Sequence, residues 1–244
     1  MSPEVKIHAE KFETMIQRRG RDVAWQEALM CACWNLDSGQ PVYECKVCGG
    51  KGYTYSPPII GRVLLTSITQ NGDFEDMAGM FHIGDAVMSV PKRYWRRSEG
   101  GTFSRTDFED VPLYNVSMYD LITVLDDDYK TSEVLIKGKA IYMRPADTLL
   151  NEEVLSIQHV RTVNPSTGEQ VVYRLGKDFT NEGNVIRWKA GGVAPQEGEH
   201  YSVVYKHRPV FTVLTTLPKP RYQDGQLLPR YVALRYRAGG FEPK

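Results

Sequence analysis

Nowhere in the 244 residues is there an apolar run approaching the roughly 20 residues that a membrane-spanning helix needs, so no membrane partner is expected. Net charge is missing too: Lys+Arg and Asp+Glu both total 30, which removes any global attraction to nucleic acid or an anionic bilayer. The opening Met1-Ser2-Pro3-Glu4-Val5-Lys6 is not followed by the apolar stretch of a signal peptide, so synthesis in a reducing cytoplasm is expected. Signatures of catalysis are absent in turn, with no Walker loop, no G-x-S-x-G and no H-E-x-x-H. Gly49-Gly50-Lys51-Gly52 lacks the preceding strand and the Gly-Lys-Ser/Thr ending of a phosphate loop. The five histidines, His8, His82, His159, His200 and His207, are scattered, and no two have the helical spacing that puts two imidazoles on one metal. Neither an enzyme nor a small-molecule substrate is expected. No repeat of fixed period appears, and a hydrophobic share of 41% suffices for one or two cores.

Cysteine is equally scarce, but its four copies are not scattered. Cys31-Ala-Cys33 and Cys45-Lys-Val-Cys48-Gly-Gly-Lys-Gly-Tyr53 hold all of them within eighteen residues. Two close pairs of thiolates can fill the tetrahedral corners of Zn²⁺ without a large core. The eleven residues from Trp34 to Glu44 carry Asp-Ser-Gly and Pro turn signals that can bring the second pair back onto the first. Behind Cys48, the glycines let the backbone turn around the metal and aim amides at sulfur. The first pair is C-x-C, tighter than the usual C-x-x-C. One or two disulfides, or four reduced thiols, are the other states this composition allows, although a reducing compartment favours metal over disulfide. Cysteine at all four corners leaves no position for water or substrate, so zinc on Cys31, Cys33, Cys45 and Cys48 is expected to be structural. Asp126-Asp127-Asp128 reads as a solvated bend rather than a cation site.

Residues 1–55 are expected to form two short helices leading into a four-cysteine zinc knuckle. In the first, Val5 to Arg19, Phe12, Met15 and Ile16 share a face and Gly20 ends the helix. Asp22 would cap the second, through Val23, Trp25, Ala28 and Leu29, which delivers Cys31 and Cys33. Such an arrangement would rest on its metal, so chelation is expected to loosen the whole N-terminal region. Residues 56–145 turn to β, with strands over 63–69, 81–91, 121–125 and 133–138 at barrel-like spacing and Asn71-Gly72 as a turn. Within them Arg93 to Gly101 reads as a long exposed loop. Residues 146–244 are expected to form an antiparallel meander or sandwich, with strands over 155–163, 170–175, 184–189, 201–206 and 209–216 and a proline-bounded edge strand near 231–235. The fold class is therefore mainly β with a small α-helical N-terminus.

Charge that cancels overall is segregated along the chain. Asp107 to Asp128 holds seven acidic residues and no lysine or arginine, whereas Tyr201 to Lys244 holds Lys206, Arg208, Lys219, Arg221, Arg230, Arg235, Arg237 and Lys244 against only Asp224 and Glu242. Two solvated faces would account for this. So would a ring in which the basic section of one copy meets the acidic section of the next, or a basic C-terminus lying on DNA phosphates.

Residues 12–53 carry a family resemblance: Phe12-Glu13-Thr14-Met15-Ile16, Arg19-Gly20, Val23-Ala24-Trp25, Ala28, Cys31-Ala-Cys33-Trp34-Asn35, Ser38-Gly39-Gln40-Pro41 and Cys45-Lys-Val-Cys48-Gly-Gly-Lys-Gly-Tyr53. This segment resembles one in tailed-bacteriophage virion proteins of the neck, the head-to-tail connector group that includes head-closure and collar proteins. There a C-P-C-W opening and a C-x-x-C-x-G-x-G-Y closing bracket a short loop; Ala32 stands here where proline is usual. The series Tyr173-x-Leu175-Gly176-x-Asp178-Phe179, Ile186-x-Trp188 and Tyr201-Ser-Val-x-Tyr205-x-x-x-Pro209 is similar to the β modules of phage structural proteins. The resemblance implies a non-enzymatic subunit of the virion, made in the host bacterial cytoplasm and assembled as a homo-oligomeric ring of six or twelve copies. Its implied neighbours are a portal or adaptor on the head side, a tail terminator or tube on the tail side, and packaged DNA. A tail or baseplate structural protein is the nearest alternative, and a zinc-ribbon nucleic-acid-binding module is an alternative of another class.

Overall fold

Val23 and Trp25 point into the core from alternate positions along residues 21–26, and the segment runs as a strand, not as the expected second helix. Its neighbours decide this: Val23 lies opposite Val124 on one side and Gly61 on the other, so both edges of the segment are hydrogen-bonded. A strand paired on both sides gains a full ladder, which a short helix of modest propensity cannot match. Asp22, expected to cap that helix, pairs instead with Arg62 at 2.7 Å.

The structure is a computed structural model and describes residues 9–67, 84–97, 103–141, 144–164, 166–216, 222–223 and 226–237. The sequence readings at residues 5–8, at Asn71-Gly72, over Phe81–Ile83 and at Lys219 and Arg221 lie outside these residues. By internal contacts the chain forms two units, the described parts of Met1–Asp126 with Phe211–Tyr236 and those of Asp127–Val210 with Arg237.

In the first unit, helix α1 (Ala9–Arg19) leads into β1 (Arg21–Gln26). The cysteine region follows, with the short strands β2 (Ala28–Met30), β3 (Trp34–Asn35), β4 (Gln40–Pro41) and β5 (Tyr53–Tyr55). Beyond it come β6 (Ile59–Ser67), β7 (Ala86–Val90), β8 (Arg93–Arg97), β9 (Phe103–Asp110), a 3-10 turn over Pro112–Asn115 and β10 (Leu121–Val124). The second unit holds β11 (Tyr129–Ile136), β12 (Val154–Val163), β13 (Gln170–Tyr173), β14 (Phe179–Glu182), β15 (Val185–Trp188) and β16 (His200–His207). The chain then returns through β17 (Val210–Thr216), β18 (Tyr222–Gln223), β19 (Gln226–Leu227) and β20 (Arg230–Tyr236).

Six strands close a barrel in the order β1-β10-β17-β20-β7-β6. Val23, Val63, Met88, Ile122, Val213 and Leu234 fill it, each fully buried. It draws β1 from the expected segment 1–55, β6, β7 and β10 from 56–145, and β17 and β20 from 146–244, so those three segments do not coincide with the two units. Closure also changes the C-terminal strand: β20 pairs with both β17 and β7 and is not an edge. Pairing on both sides is what closing a barrel requires of every strand.

Residues 93–97, expected in an exposed loop, form β8 and pair with β9; residues 98–101 lie outside the described ones. The arginines hid an apolar anchor. Trp95 is buried, its indole N–H donates to the equally buried Glu13 of α1 at 2.9 Å, and its ring meets Phe108 edge-on. Gln17 of α1 stands in for a neighbouring strand, its side chain donating to the Trp95 carbonyl at 2.8 Å and accepting from the Trp95 amide at 3.1 Å. Burial pushes the Glu13 carboxyl above its ordinary range, against the hydrogen bond from Trp95.

The second unit is an antiparallel sheet in the order β11-β16-β12-β13 with the hairpin β14–β15. Its core gathers the aromatic series singled out in the sequence: Trp188 packs against Tyr173, Phe179 and Tyr201 at 5.1, 5.7 and 5.2 Å between ring centres. Asp178 organises the turn between these strands, accepting from the amides of Arg174 at 2.8 Å and Val193 at 3.1 Å. Those bonds, the first above all, hold its carboxyl below the usual range.

Candidate metal centre

The cysteine region is a ribbon that folds back on itself. Pairing of β2 with β5 sets Met30 opposite Tyr53, and the Cys31 amide extends that ladder by donating to the Gly52 carbonyl at 2.8 Å. Inside the ribbon, β3 and β4 form a hairpin whose turn is shaped by Asn35, its side-chain oxygen accepting from the amides of Asp37 and Ser38. The Asp-Ser-Gly signal thus makes the reversal expected of it. The chain then passes Cys45 and Cys48 through tight turns closed by bonds from the Gly49 amide to the Cys45 carbonyl and from the Lys51 amide to the Cys48 carbonyl.

All four cysteines expected to act together do meet: their sulfurs lie within 4.8 Å of one another. Cys31 and Cys45 approach to 3.9 Å between sulfurs and Cys33 and Cys48 to 3.5 Å. A tetrahedral ion with metal–sulfur bonds of about 2.3 Å spaces its sulfurs about 3.8 Å apart, so four thiols so arranged can hold a metal ion. No disulfide links them, and the separations far exceed the about 2.05 Å of an S–S bond. Among the described residues this is the one group of three or more His, Cys, Asp or Glu side chains placed to hold a metal. Asp126 and Asp128 are occupied otherwise, with Arg21 at 3.7 Å and Lys206 at 2.6 Å.

The surrounding backbone makes the thiols unequal. Amide groups of Cys48 and then Val47 pull the Cys45 thiol down to about 6, while desolvation, followed by the neighbouring thiols, pushes Cys33 up to about 12. At Cys48 burial acts upward, but the Gly52 amide, 3.3 Å from its sulfur, and the thiol of Cys33 carry the net shift downward. A cation among the four sulfurs would favour the thiolate at each, the burial cost at Cys33 included.

Two supports of this centre were not legible in the sequence. Tyr53, next to the ribbon's last glycine, stacks on Tyr119 with ring centres 4.7 Å apart. Asp120, fully buried, accepts from the Ala28 amide at 2.8 Å and so fixes the start of β2. Both partners lie more than sixty residues beyond the ribbon, and no local pattern announces them. The ribbon's tips are apolar and open to solvent, Leu36 at 89% and Val47 at 73% exposure. Compared with models of known protein families and with curated proteins, the chain matches none.

Proposed function

We propose that the chain is a structural subunit of a tailed-phage virion, one copy of an oligomeric ring in the neck that connects or closes the head and docks the tail. Within it Cys31, Cys33, Cys45 and Cys48 hold a structural Zn²⁺. The observation that carries this is the form taken by the segment bearing the resemblance. Its four cysteines converge within 4.8 Å, and the loops they tie expose Leu36 and Val47. Four protein ligands close a zinc site, so the ion acts as a staple. Large apolar side chains held on a stapled tip suit contact with another protein, here a portal or adaptor on the head side or a tail terminator or tube on the other. A tetrahedral set of thiolates suits Zn²⁺ or iron, and metal analysis separates them.

Deleting the gene from its phage tests the function. Filled heads that leak DNA and never join finished tails are expected, and intact head–tail particles overturn the proposal. Metal analysis of the purified chain should find about one zinc per chain. Iron with its thiolate absorbance, or four thiols with no metal, would overturn the zinc assignment.

A further inference from the structure

The two faces of the β11-β16-β12-β13 sheet differ in character, and strand register assigns the paired residues to one or the other. Tyr201, Val203, Tyr205 and His207 of β16 are buried in the core, so Ser202, Val204 and Lys206 point the other way. The pairs Lys130↔Lys206, His159↔Val204, Arg161↔Ser202 and Arg161↔Val172 place Lys130, His159, Arg161 and Val172 on that same outer face. All four are exposed. The one carboxylate in these strands, Glu133, faces inward and pairs with Arg144 at 3.1 Å. From just before β11, Asp128 reaches Lys206 at 2.6 Å and neutralises it, which leaves Lys130 and Arg161 to set the sign. The outer face is therefore basic, with valines between the charges.

Its complement lies on the same chain, and folding narrows where. Of the acidic stretch from Asp107 to Asp128, Asp120 is buried, while Asp126 and Asp128 bridge to Arg21 and Lys206. On β9, Phe108, Glu109 and Asp110 are exposed side by side. Among the described strands β9 pairs with β8 alone. The basic C-terminal section contracts likewise: Arg208 lies 4.0 Å from Glu153, Arg235 lies 3.7 Å from Asp85, and Arg230 donates to the Tyr114 carbonyl. The basic surface is thus the sheet face, most of it drawn from residues outside that section.

We propose that this open sheet face receives the acidic β9 strand of a second copy of the chain. β9 meets the face by its free edge, with Glu109 on one side of the strand and Phe108 and Asp110 on the other; Lys130 and Arg161 meet the two carboxylates, and Val172 meets Phe108. Each copy offers one surface and accepts with the other, and head-to-tail repetition of such a contact builds a ring or a filament. The contact deepens the proposed function and rests on it for closure into a ring. A protein partner fits better than nucleic acid because the outward positions hold no Phe, Tyr or Trp on which bases could stack. Strand spacing makes the face about 14 by 26 Å, smaller than the about 800 Å² per partner of a standard interface. A single contact is accordingly weak and salt-sensitive, and several in one ring reinforce each other.

Sedimentation of the purified full chain across concentration, at low and high salt, tests the contact. The wild type should associate at low salt and do so about tenfold or more weakly at high salt. Lys130→Glu with Arg161→Glu, or Glu109→Lys with Asp110→Lys, should each leave monomer. An equal mixture of the two double variants should associate again, because each then meets an opposite charge; that recovery also shows both are folded. Association untouched by either variant overturns the contact while leaving a ring built through another surface. A wild type that stays monomeric throughout also overturns it, and the particle phenotype then judges the virion role alone. Duplex DNA bound by the wild type and lost only in the Lys130/Arg161 variant makes the face a nucleic-acid surface and overturns the contact.

Discussion

The indole N–H of Trp25 donates to the carboxylate of Asp120 at 2.8 Å, across 95 residues of sequence. The same carboxylate accepts from the amides of Ala28 and Ser117, each at 2.8 Å. One buried side chain thus ties the barrel strand β1, the root of the cysteine ribbon and the turn before β10. Replacing one of its oxygens by an amide sets a donor against donors. Asp120→Asn should cost about 3 kcal/mol, read as a lower urea midpoint at unchanged slope. A loss under about 0.5 kcal/mol, the range of ordinary surface substitutions, would show that the hub is dispensable.

Removing one ligand tests how far the metal's influence reaches. Cys45→Ser should lower bound metal from about one per chain to none. Hydrogen exchange should then rise over residues 28–55 only. This is narrower than the loosening of the whole N-terminal region that two free helices would give. Here β1 is paired on both sides, and α1 is anchored to Trp95 through Glu13 and Gln17. Faster exchange throughout 9–26 would contradict that anchoring.

Gly52 turns with φ +82°, and a Cβ there would stand 2.6 Å from Cζ3 of Trp34. Gly49 is also left-handed, φ +59°, but a Cβ on it meets nothing within 4 Å. Gly52→Ala should therefore weaken metal retention in a chelator competition by more than the about tenfold that backbone strain alone explains, and Gly49→Ala by about tenfold or less. Equal losses would mean that the contact with Trp34 contributes nothing.

His207 is buried, with Nδ1 3.0 Å from the Arg208 carbonyl and Nε2 2.9 Å from the Thr131 hydroxyl. A carbonyl only accepts, so Nδ1 carries the proton and Nε2 takes the hydroxyl's. Burial holds the imidazole below its ordinary 6.5, against the Arg208 carbonyl and the Glu133 carboxylate. Between the folded and unfolded values the unfolded chain binds more protons, so this contribution is present above 6.5 and is lost as pH falls through the folded value. Melting of the second unit should drop as pH falls below 6.5, and His207→Gln should flatten that slope. An unchanged slope would assign the acid sensitivity to other groups.

What could be read from the residues in order was local. The cysteine centre was legible because its ligands, its turn and its glycines fit within a few dozen residues, and the β character was legible from alternation. Val23, Trp25, Ala28 and Leu29 fit a helical face equally well, and only Val124 and Gly61, pairing with Val23 from distant strands, decide for β. Trp95 looked like part of a loop because arginines flank it, and its burial depends on Glu13, 82 residues earlier. Asp120 sat unnoticed in an acidic run that suggested solvent, since its donors come from positions 25, 28 and 117.

The barrel's strand order also sets a timetable. β20, residues 230–236, fills the gap between β17 and β7, so the cylinder cannot shut until the ribosome has emitted residue 236. The sheet of the second unit is complete with β16 at residue 207, and can form while β1, β6, β7 and β10 still wait. Through that interval the waiting strands present unpaired edges and apolar faces to the cell. Premature termination just before residue 230 should consequently yield a chain with one folded half and one adhesive half, a natural client for chaperones.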